Sequence, residues 1–486
     1  MHRAGVVNKA MPTSLTSDTE ALLRAALPDV AFTSDVARYL EEPRGKFFGP
    51  DGFVVRPGDV GEVSQILKIA NQTGTAVVPY GGGTGLVSGQ VAPELSRPIV
   101  VSLERMNTVR EVSPQENVLV ADAGAILQDI QEAATAADRL FPLSLASQGT
   151  ARIGGNLSTN AGGINVLRYG TTRDLCLGLE AVLPDGSIWN GLTRLRKDNT
   201  GYDLRNLMIG AEGTLGIITA AALKLFPLPK NHASAMLVLS DVEGVLDLLT
   251  MAQEMTDGAV SAFELIHRQG FDFLDETGLD YRDPFPSERP EWVVLIRVAT
   301  SDARVPSETL EALFIAAAEA ELVVDGVIAQ SEAQADALWH IRETIPEGNK
   351  RIGAIASHDI SLPLSQITQF IASAPQHLAS LKPHRLNCFG HIGDGNLHFN
   401  IFPPKGGTKA DGPDKDETSR LIHDLVHELG GSFSAEHGLG RFKAGELERY
   451  GDPTKLTAMR AIKAALDPNG IMNPGAVLRA TRNSSG

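Results

Sequence analysis

The residues of this chain whose types and spacing suggest metal chemistry are two histidines in one short segment. Residues 387–401 read NCFGHIGDGNLHFNI, in which two apolar runs flank a Gly-Asp-Gly-Asn turn, the pattern of a β-hairpin. With a turn over residues 393–396, His391 and His398 oppose each other with their Cβ atoms about 5 Å apart. Asn400, two residues beyond His398, points to the same face of the strand. We therefore expect two imidazoles that are able to share one metal ion.

A carboxylate and a third imidazole follow in the segment SAEHG, residues 434–438. Two histidines and one glutamate with an open position form the ligand set of a catalytic divalent ion, most often zinc. We predict that His391, His398 and Glu436 bind such an ion, most simply Zn²⁺. His437 lies beside this set and is the candidate general base, because imidazole titrates near neutral pH. The alternative at this point is that these histidines are structural or merely exposed.

Length, charge and cysteine count limit the class of protein. A chain of 486 residues is too long for one ordinary core, so two or more domains are expected. The formal net charge of −16 argues against general binding of nucleic acid or of an anionic membrane. Two cysteines, Cys176 and Cys388, exclude a disulfide framework and a cysteine-rich metal site. A reducing compartment fits, namely the cytoplasm of a bacterium or the mitochondrial matrix of a eukaryote, and no apolar run reaches the roughly eighteen residues of a membrane span.

The elements that must position these side chains begin with two helical segments, residues 18–27 and 34–40. A β-α-β unit follows over residues 53–57, 60–73 and 76–80, and it leads directly into a glycine run. Proline-rich residues 226–230 mark a domain boundary. Further segments of the first part show apolar alternation typical of strands, or helical spacing: strands 99–103, 117–121, 177–183 and 216–226, and helix 125–137.

The second part alternates strands with helices and predicts an α+β domain that ends near the hairpin. Its predicted strands are 235–239, 292–299 and 323–329, and its predicted helices are 241–254, 307–321 and 331–342. Helices 417–429 and 453–466 flank the Glu436-His437 turn. The polar segment 404–416 predicts an exposed loop, and residues 481–486 predict disorder.

Two glycine-rich segments have the composition of phosphate cradles. They are residues 79–86, PYGGGTGL, and residues 147–163, SQGTARIGGNLSTNAGG. Glycine allows several consecutive N–H groups to converge on an anion. Neither segment is a Walker A loop or a G-x-G-x-x-G fingerprint that opens a helix. Single glycine loops are common turns, but two such loops favour a bound nucleotide.

These segments, with residues 199–204 (NTGYDL) and 209–219 (IGAEGTLGIIT), resemble the FAD-binding domain of the vanillyl-alcohol-oxidase superfamily, the PCMH type. The hairpin, Glu436-His437-Gly438 and the segment DPNGIMNPG at 467–475 narrow the resemblance to FAD-linked D-2-hydroxyacid dehydrogenases, of which D-2-hydroxyglutarate dehydrogenases are the most similar. The resemblance implies an α+β protein: a two-subdomain FAD-binding domain plus an α+β substrate (cap) domain with an antiparallel sheet. The implied division is a helical lead (1–46), an FAD-binding domain (47–228), a substrate domain (229–428) and a C-terminal segment that returns to the FAD domain (429–486).

The resemblance also implies the residues that bind FAD. The first loop supplies Gly81, Gly82, Gly83, Thr84 and Gly85. The remaining implied residues are Gln148, Gly149, Ile153, Gly154, Asn156, Thr159, Asn160, Gly162, Gly163, Glu212, Ile217, Ile218 and Asn473. No histidine stands between His2 and His232, so a histidyl linkage from this domain is impossible and we expect dissociable, non-covalent FAD.

The implied reaction is oxidation of a D-2-hydroxyacid, with a hydride passing to the flavin and a metal-assisted loss of the hydroxyl proton. The implied carboxylate-binding residue is Arg342, while Asn400 and His437 also face the substrate. D-2-hydroxyglutarate is the first expectation. One departure weakens the expectation of D-2-hydroxyglutarate, because Ser357 stands where these dehydrogenases usually carry a lysine. This departure favours D-lactate and D-malate as alternative substrates. Lys350, Arg351 and Arg385 are further candidates for the second carboxylate.

Three alternatives remain open from sequence. Within the same class the enzyme is a D-lactate, D-malate or glycolate dehydrogenase. From another class, a zinc hydrolase would use the histidines but leave the glycine loops without a role. A flavin subunit that only relays electrons is the third. We expect an electron-transfer flavoprotein or a quinone as the electron acceptor, no nucleic-acid partner, and a homodimer as one oligomeric state that the sequence leaves open.

Overall fold

Residues 13–301 and 304–479 are described by the structure, a computed structural model. The predictions for the first twelve residues and for residues 481–486 lie outside this range. The α-helices are α1 Ser17–Ala26, α2 Val60–Thr73, α3 Leu127–Ala136, α4 Ile153–Thr159, α5 Val166–Tyr169, α6 Leu204–Met208, α7 Val245–Thr256, α8 Arg268–Thr277, α9 Pro306–Glu319, α10 Glu332–Ile352, α11 Ile367–Leu378, α12 Lys415–Glu428, α13 Ala444–Tyr450 and α14 Pro453–Leu466. The strands are β1 Phe53–Val55, β2 Val77–Tyr80, β3 Ile99–Ser102, β4 Val109–Ser113, β5 Val118–Asp122, β6 Arg139–Leu140, β7 Cys176–Val182, β8 Ile188–Gly191, β9 Ile217–Lys224, β10 Phe226–Pro227, β11 Asn231–Leu239, β12 Val260–His267, β13 Trp292–Thr300, β14 Val323–Ile328, β15 Ala356–Ser361, β16 Arg385–Gly390 and β17 Asn396–Phe402.

The first part of the chain folds around a short parallel sheet and a larger antiparallel one. Strands β1, β3 and β2 form the parallel sheet, and β4, β5, β9, β7 and β8 form the antiparallel sheet in that order. Helix α2 starts at Asp59, whose side chain accepts from the Glu62 N–H, and it ends at Gly74 with a φ of 66°. Its apolar face packs into a core shared by both sheets. The β-α-β unit therefore delivers the first glycine segment at the end of β2.

A seven-stranded antiparallel sheet dominates the second part, with the order β14-β11-β13-β12-β16-β17-β15. Successive side chains of a strand point to opposite faces, so each face can carry its own core. Helices α7, α9, α11 and α12 cover one face. Helices α8 and α10 cover the other, where Phe389 of β16 packs in a core that includes Trp339 of α10. This second face also carries the charged residues of the candidate site.

The C-terminal segment returns to the first sheet. Met472 bridges Val77 in parallel, and Asn473 N donates to Val77 O at 2.8 Å. Lys463 Nζ lies 2.5 Å from Asp467 Oδ2 and also donates to the carbonyls of Thr214 and Met472. A half-buried cation with three acceptors holds this return in place. The domain boundaries drawn from the sequence remain predictions.

Several predicted elements were wrong. Residues 34–40 hold only a 3₁₀ turn, Ala37–Tyr39. The helix expected to end at residue 342 continues as α10 to Ile352, through Pro346. Proline removes one N–H from the ladder, but burial of Ile345, Gly348 and Asn349 on the inner face keeps the helix intact. Strands β4, β8 and β12 were missed because they are short or lack a clear alternation. No helix among the described residues is long and apolar enough to cross a membrane.

Candidate functional site: a glycine-walled groove and a histidine-glutamate cluster

A groove with a volume of about 930 Å³, part of it open to solvent, runs between the two glycine-rich segments. Eleven of the residues implied for FAD line it: Gly81, Gly82, Gly83, Thr84, Gly85, Gly154, Asn156, Thr159, Glu212, Ile217 and Ile218. Tyr80 and Arg152, which belong to the two glycine-rich segments, also line the wall, as does Gln90, which was not predicted. His437 stands at the same groove, so the histidine site and the groove are continuous.

The other implied residues lie outside the groove wall. Ile153 is fully buried in the core, and Asn160 ends α4 in the left-handed conformation. Asn473 donates to the carbonyls of Gly89 and Glu212. The rest of this group, near the groove but not in its wall, are Gln148, Gly149, Gly162 and Gly163. The second glycine segment also contains a short helix, α4, which the sequence reading took for a loop.

Glycine is required where the two segments press together. A Cβ on Gly82 would lie 2.2 Å from the carbonyl oxygen of Thr150, which no side chain tolerates. Asn156 Oδ1 is buried and has no hydrogen-bond partner among the described residues, although its side chain faces the groove. Such an orphaned acceptor calls for a donor from a ligand. The groove therefore fits a dinucleotide that lies along it.

Glu212 lines the groove, and its carboxylate also binds the backbone of the C-terminal segment. Its carboxylate accepts from the N–H groups of Leu439 and Gly440, both at 2.7 Å. The residue adopts a φ of 51°. Burial raises the pKa of Glu212, and these two backbone donors oppose the shift. Glu212 thus ties the C-terminal segment to the groove wall, and its side chain closes the groove.

His391, His398 and Glu436 come together as predicted. One ligand atom from each lies within 4.8 Å of the others. The predicted hairpin register was wrong by two residues, because His398 pairs with Phe389 and not with His391. The connection holds a 3₁₀ turn, Ile392–Asp394, and is longer than a two-residue turn. A shift of two preserves the face of each side chain, so the imidazoles still meet, with ring centroids 5.6 Å apart.

A buried glutamate that the sequence reading missed holds two site residues at once. Glu264 of β12 contacts His391 Nδ1 at 2.5 Å and accepts from Arg342 Nε at 2.7 Å. Burial alone would raise the pKa of Glu264, but the two cations lower it to about 2. Burial alone would lower the pKa of His391, and Glu264 raises it to about 9. Glu264 therefore fixes which nitrogen of His391 faces the site, the usual outer-shell support of a histidine ligand.

The two terminal nitrogens of Arg342 are available to bind a ligand. Only its Nε is bonded, and within the described residues no hydrogen bond forms at its two terminal nitrogens. The guanidinium lies over the ring of Phe389, 4.8 Å from the centroid. A planar fork held in this way suits a carboxylate. Arg342 and His391 thus share Glu264 as their anchor, and the carboxylate-binding role of Arg342 stays a prediction.

Asp359 organises the segment around His437. Its Oδ2 accepts from the N–H groups of Glu436 and His437, both at 3.0 Å, and lies 3.2 Å from His437 Nδ1. Burial alone would raise the pKa of Asp359, but the positive charges of His437 and Lys443 hold it well below its usual range. An ionised carboxylate on Nδ1 leaves Nε2 of His437 to act as an acceptor. Asp359 was not predicted from the sequence, because a lone carboxylate in a strand carries no local signal of its role.

His398 and Asn400 complete the site-facing side of β17. Burial holds the pKa of His398 well below its usual range, so its imidazole is neutral and ready to act as a ligand. Asn400 pairs across the sheet with Ser357 and Asn387. In the described part of the chain its amide forms no hydrogen bond. The donor set of two imidazoles and a carboxylate, with outer-shell carboxylates, fits a divalent ion such as zinc.

Comparison with known proteins follows this geometry. Residues 228–477 match the family described as FAD linked oxidases, C-terminal domain, and residues 52–191 match the FAD binding domain family. D-2-hydroxyglutarate dehydrogenase, mitochondrial, of Arabidopsis thaliana is 38% identical over 437 residues, which cover 89% of this chain and 76% of that protein. D-2-hydroxyglutarate dehydrogenase of Stutzerimonas stutzeri is 36% identical over 444 residues, with 90% and 93% covered. These matches define an FAD-dependent oxidoreductase.

More specifically, the chain belongs to the FAD-linked D-2-hydroxyacid dehydrogenases. The expectation of an FAD enzyme that acts on a D-2-hydroxyacid is therefore confirmed, and the zinc-hydrolase alternative was wrong as a statement of class. Solved structures confirm the predicted fold class. p-Cresol methylhydroxylase has a TM-score of 0.73 at 15% identity, with 97% of this chain and 99% of that chain covered.

Proposed function

We propose that this enzyme oxidises D-2-hydroxyglutarate to 2-oxoglutarate with the help of a divalent metal ion, and passes the electrons to an external acceptor. The observation that carries the proposal is the meeting of three groups at one end of the groove. These are the His391, His398 and Glu436 cluster, the Arg342 fork and the His437–Asp359 pair. A 2-hydroxyacid presents a carboxylate and a hydroxyl on adjacent carbons, and these groups match both halves of that arrangement.

The cofactor and the metal supply chemistry that amino acids lack. Bound FAD supplies a two-electron acceptor for the hydride that leaves the substrate carbon. A zinc ion on the three ligands supplies a Lewis acid beside the substrate hydroxyl. The residues on which both depend are the groove wall and the cluster described above. What the protein itself must do is bind the acid, orient its carbon and take away one proton.

Arg342 binds the carboxylate at C1 in this proposal. Its Nε is committed to Glu264 at 2.7 Å, so its terminal nitrogens point away from that anchor. Asn400, two residues beyond His398 on the same strand face, offers an amide to the substrate or to a ligand. Two contacts on one end of a small acid fix its orientation and leave the hydrogen on C2 facing the groove.

His437 takes the hydroxyl proton. Asp359 holds its Nδ1 at 3.2 Å and stabilises the imidazolium that forms. The ring of His437 lies parallel to that of His398, with centroids 6.1 Å apart, so the base stands directly beside the cluster. The substrate thus loses one proton to His437 and one hydride to the cofactor, which together make the two-electron oxidation of an alcohol to a ketone.

Relatives support this substrate over the others. The Arabidopsis and Stutzerimonas relatives are both named D-2-hydroxyglutarate dehydrogenase. D-lactate, D-malate and glycolate remain the competing substrates because Ser357 carries no charge. For the electrons we propose an electron-transfer flavoprotein or a quinone. We further propose a cytoplasmic or, in a eukaryote, mitochondrial-matrix location and a homodimer.

Anaerobic titration that follows the visible flavin spectrum tests the proposal. D-2-hydroxyglutarate should bleach the flavin, its L-enantiomer should not, and D-lactate should do so with lower efficiency. Dialysis against a chelator should abolish bleaching while FAD stays bound, and zinc should restore it. Bleaching by D-lactate alone would reassign the substrate, and full activity after verified removal of metal would refute the metal-assisted step.

A further inference from the structure

The second carboxylate of a dicarboxylic substrate has no partner at the position where the sequence reading first looked. Ser357 is exposed on β15 and pairs with Asn400 across the sheet, so it lies on the face of the site but carries no charge. Two other candidates already have acidic partners. Arg351 contacts Glu347 at 3.0 Å, and Arg385 contacts Glu276 at 2.6 Å. Lys350, the third candidate, is exposed on α10, and the loop 41–48 offers a further cation.

The loop 41–48 carries such a cation to the site. Glu41 and Phe48 bridge across the base of the loop. Inside it, the buried Glu42 carboxylate accepts from the N–H of Arg44 at 3.1 Å. The loop is held against the C-terminal segment by Phe47, whose ring lies 6.0 Å from that of Phe442. A loop fixed at its base and by one aromatic contact presents Arg44 from a defined position.

The side chain of Arg44 is available. It is exposed, and it forms neither a side-chain hydrogen bond nor an ion pair within the described residues. Burial lowers the pKa of Arg44, and the carboxylates of Glu42 and Asp359 oppose that shift. Phe442, which Phe47 contacts, follows His437 by five residues, so the loop 41–48 lies against the segment that carries His437.

Lys46 lies on the same loop, and Lys409 and Lys415 lie close enough to act on its charge. We call Arg44, Lys46, Lys409 and Lys415 the basic collar. All four side chains are exposed, and in the described ranges none is ion-paired. Lys409 Cε lies 3.5 Å from where a Cβ on Gly353 would stand, just before β15. Lys415 Nζ lies 4.9 Å from the centroid of the Phe442 ring.

The charges of the basic collar act on one another. Burial lowers the pKa of Lys46, and the positive charges of Arg44, Lys415 and Lys409 lower it further. These cations outnumber the nearby carboxylates of Glu42 and Asp359, and such a concentration of positive charge is unusual in a protein with a net charge of −16. Such a concentration favours an anionic ligand, because a bound carboxylate relieves the repulsion.

We propose that Arg44 binds the distal carboxylate of a dicarboxylic 2-hydroxyacid, and that the lysines of the basic collar attract this anion to the entrance. The inference rests on the proposed function, since it assumes that Arg342 holds the other carboxylate. It assigns to the loop 41–48 the role that the missing lysine at Ser357 leaves open. A monocarboxylic acid would not use Arg44.

The proposal is tested by measuring how Arg44→Gln changes the binding and turnover of a dicarboxylic acid and of a monocarboxylic acid. Calorimetry should show 2-oxoglutarate binding roughly ten- to a hundredfold weaker, as expected for loss of a charge-assisted hydrogen bond. Pyruvate binding should change by less than about twofold, since its single carboxylate stays on Arg342. The kcat/KM for D-2-hydroxyglutarate should fall in parallel, while that for D-lactate stays. Arg44→Lys should recover part of the loss, and Arg351→Gln, an exposed arginine with its own partner, is the matched control.

The other possible results contradict the role of Arg44, the role of the basic collar or the proposed function separately. Equal weakening of 2-oxoglutarate and pyruvate, or no weakening of either, overturns the role of Arg44 while the proposed function stands. Lys46→Gln should raise the KM for D-2-hydroxyglutarate at low salt and have little effect at high salt, and an effect independent of salt overturns the role of the collar. A wild-type enzyme with bound FAD and zinc that D-2-hydroxyglutarate does not reduce overturns the proposed function, and this inference with it.

Discussion

The backbone N–H of Gly163 donates a hydrogen bond to Oε1 of Glu436 at 2.7 Å. A glycine from the segment beside the cofactor groove therefore positions a carboxylate of the candidate metal cluster. Glu436 Oε1 lies 3.6 Å from Nε2 of His391, which belongs to the seven-stranded sheet. The cluster thus depends on both parts of the chain, and small changes in the glycine segment should be felt at the metal.

Gly162→Ala tests this coupling. The new Cβ would lie 3.0 Å from Glu436 Oε1, so the carboxylate has to move. We expect roughly tenfold weaker zinc binding, in the range seen when outer-shell residues change. FAD retention should be unaffected, because Gly162 is not in the groove wall. Zinc affinity by chelator competition and FAD content by absorbance are the two measurements.

Gly149→Ala is the control for that variant. It lies in the same segment, and the nearest atom to its new Cβ is the flexible Gln128 Oε1 at 3.3 Å. Its zinc affinity should match that of the wild type. If both variants lose zinc equally, the effect is a general disturbance of the segment and the coupling through Glu436 is wrong.

Glu264→Gln should weaken both zinc binding and the binding of the acid. The amide cannot serve as an anionic anchor for both His391 and Arg342. We expect zinc affinity to fall roughly ten- to a hundredfold and KM for the acid to rise, because Arg342 loses its orientation. The matched control is Glu180→Gln, another buried glutamate paired with an arginine, Arg110, in the first part of the chain. Equal zinc affinity in the two variants would show that Glu264 has no special role.

His437→Gln should slow the chemical step and spare the metal. Loss of a general base typically costs roughly 10²- to 10⁴-fold in rate, and His437 is not one of the three ligands. Stopped-flow reduction of the flavin at saturating substrate gives the rate, and metal analysis gives the zinc content. Asp359→Asn should reproduce part of the rate loss, since it disturbs the hold on His437 Nδ1. A His437→Gln enzyme that reduces its flavin at the wild-type rate would remove His437 from the mechanism.

FAD should leave the denatured protein. No histidine from the first part of the described chain lines the groove, and Cys176 is buried away from the groove wall, where burial raises its pKa to about 12. A neutral, inaccessible thiol does not form a flavin linkage. Acid precipitation should therefore give a colourless pellet and a yellow supernatant. A yellow pellet would establish a covalent bond and contradict the prediction.

Local pattern predicted the groove segments and the meeting of His391 with His398 because both rest on short-range rules. Glycine runs at the end of β2 and opposed side chains in a hairpin are visible within a few residues. The register error in the hairpin came from the longer turn at Ile392–Asp394, whose conformation is not encoded in the apolar pattern. The two imidazoles still lie on one face of the sheet only because the register error was an even number of residues.

The carboxylates behind the ligands were not predictable in the same way. Glu264 lies in an apolar strand, and its partners His391 and Arg342 are far from it in sequence. Such a residue reads as an ordinary strand residue until the sheet order brings β12 beside β16. Helix α10 was cut short for a similar reason, since the packing that carries it past Pro346 comes from elements distant in the chain. The role proposed for Arg44 likewise depends on the contact of loop 41–48 with the C-terminal segment, which is distant in sequence.

The bond from Gly163 to Glu436 also limits how such enzymes can be recombined. A chimera with the glycine segment of one parent and the C-terminal segment of another would have to fit the Gly162-Gly163 backbone to a foreign Glu436. The two parts can each fold well and still leave the third ligand displaced. Crossover points that give an active chimera should therefore keep residues 162–163 and 436 from the same parent. These residues should be exchanged together although they are far apart in the gene.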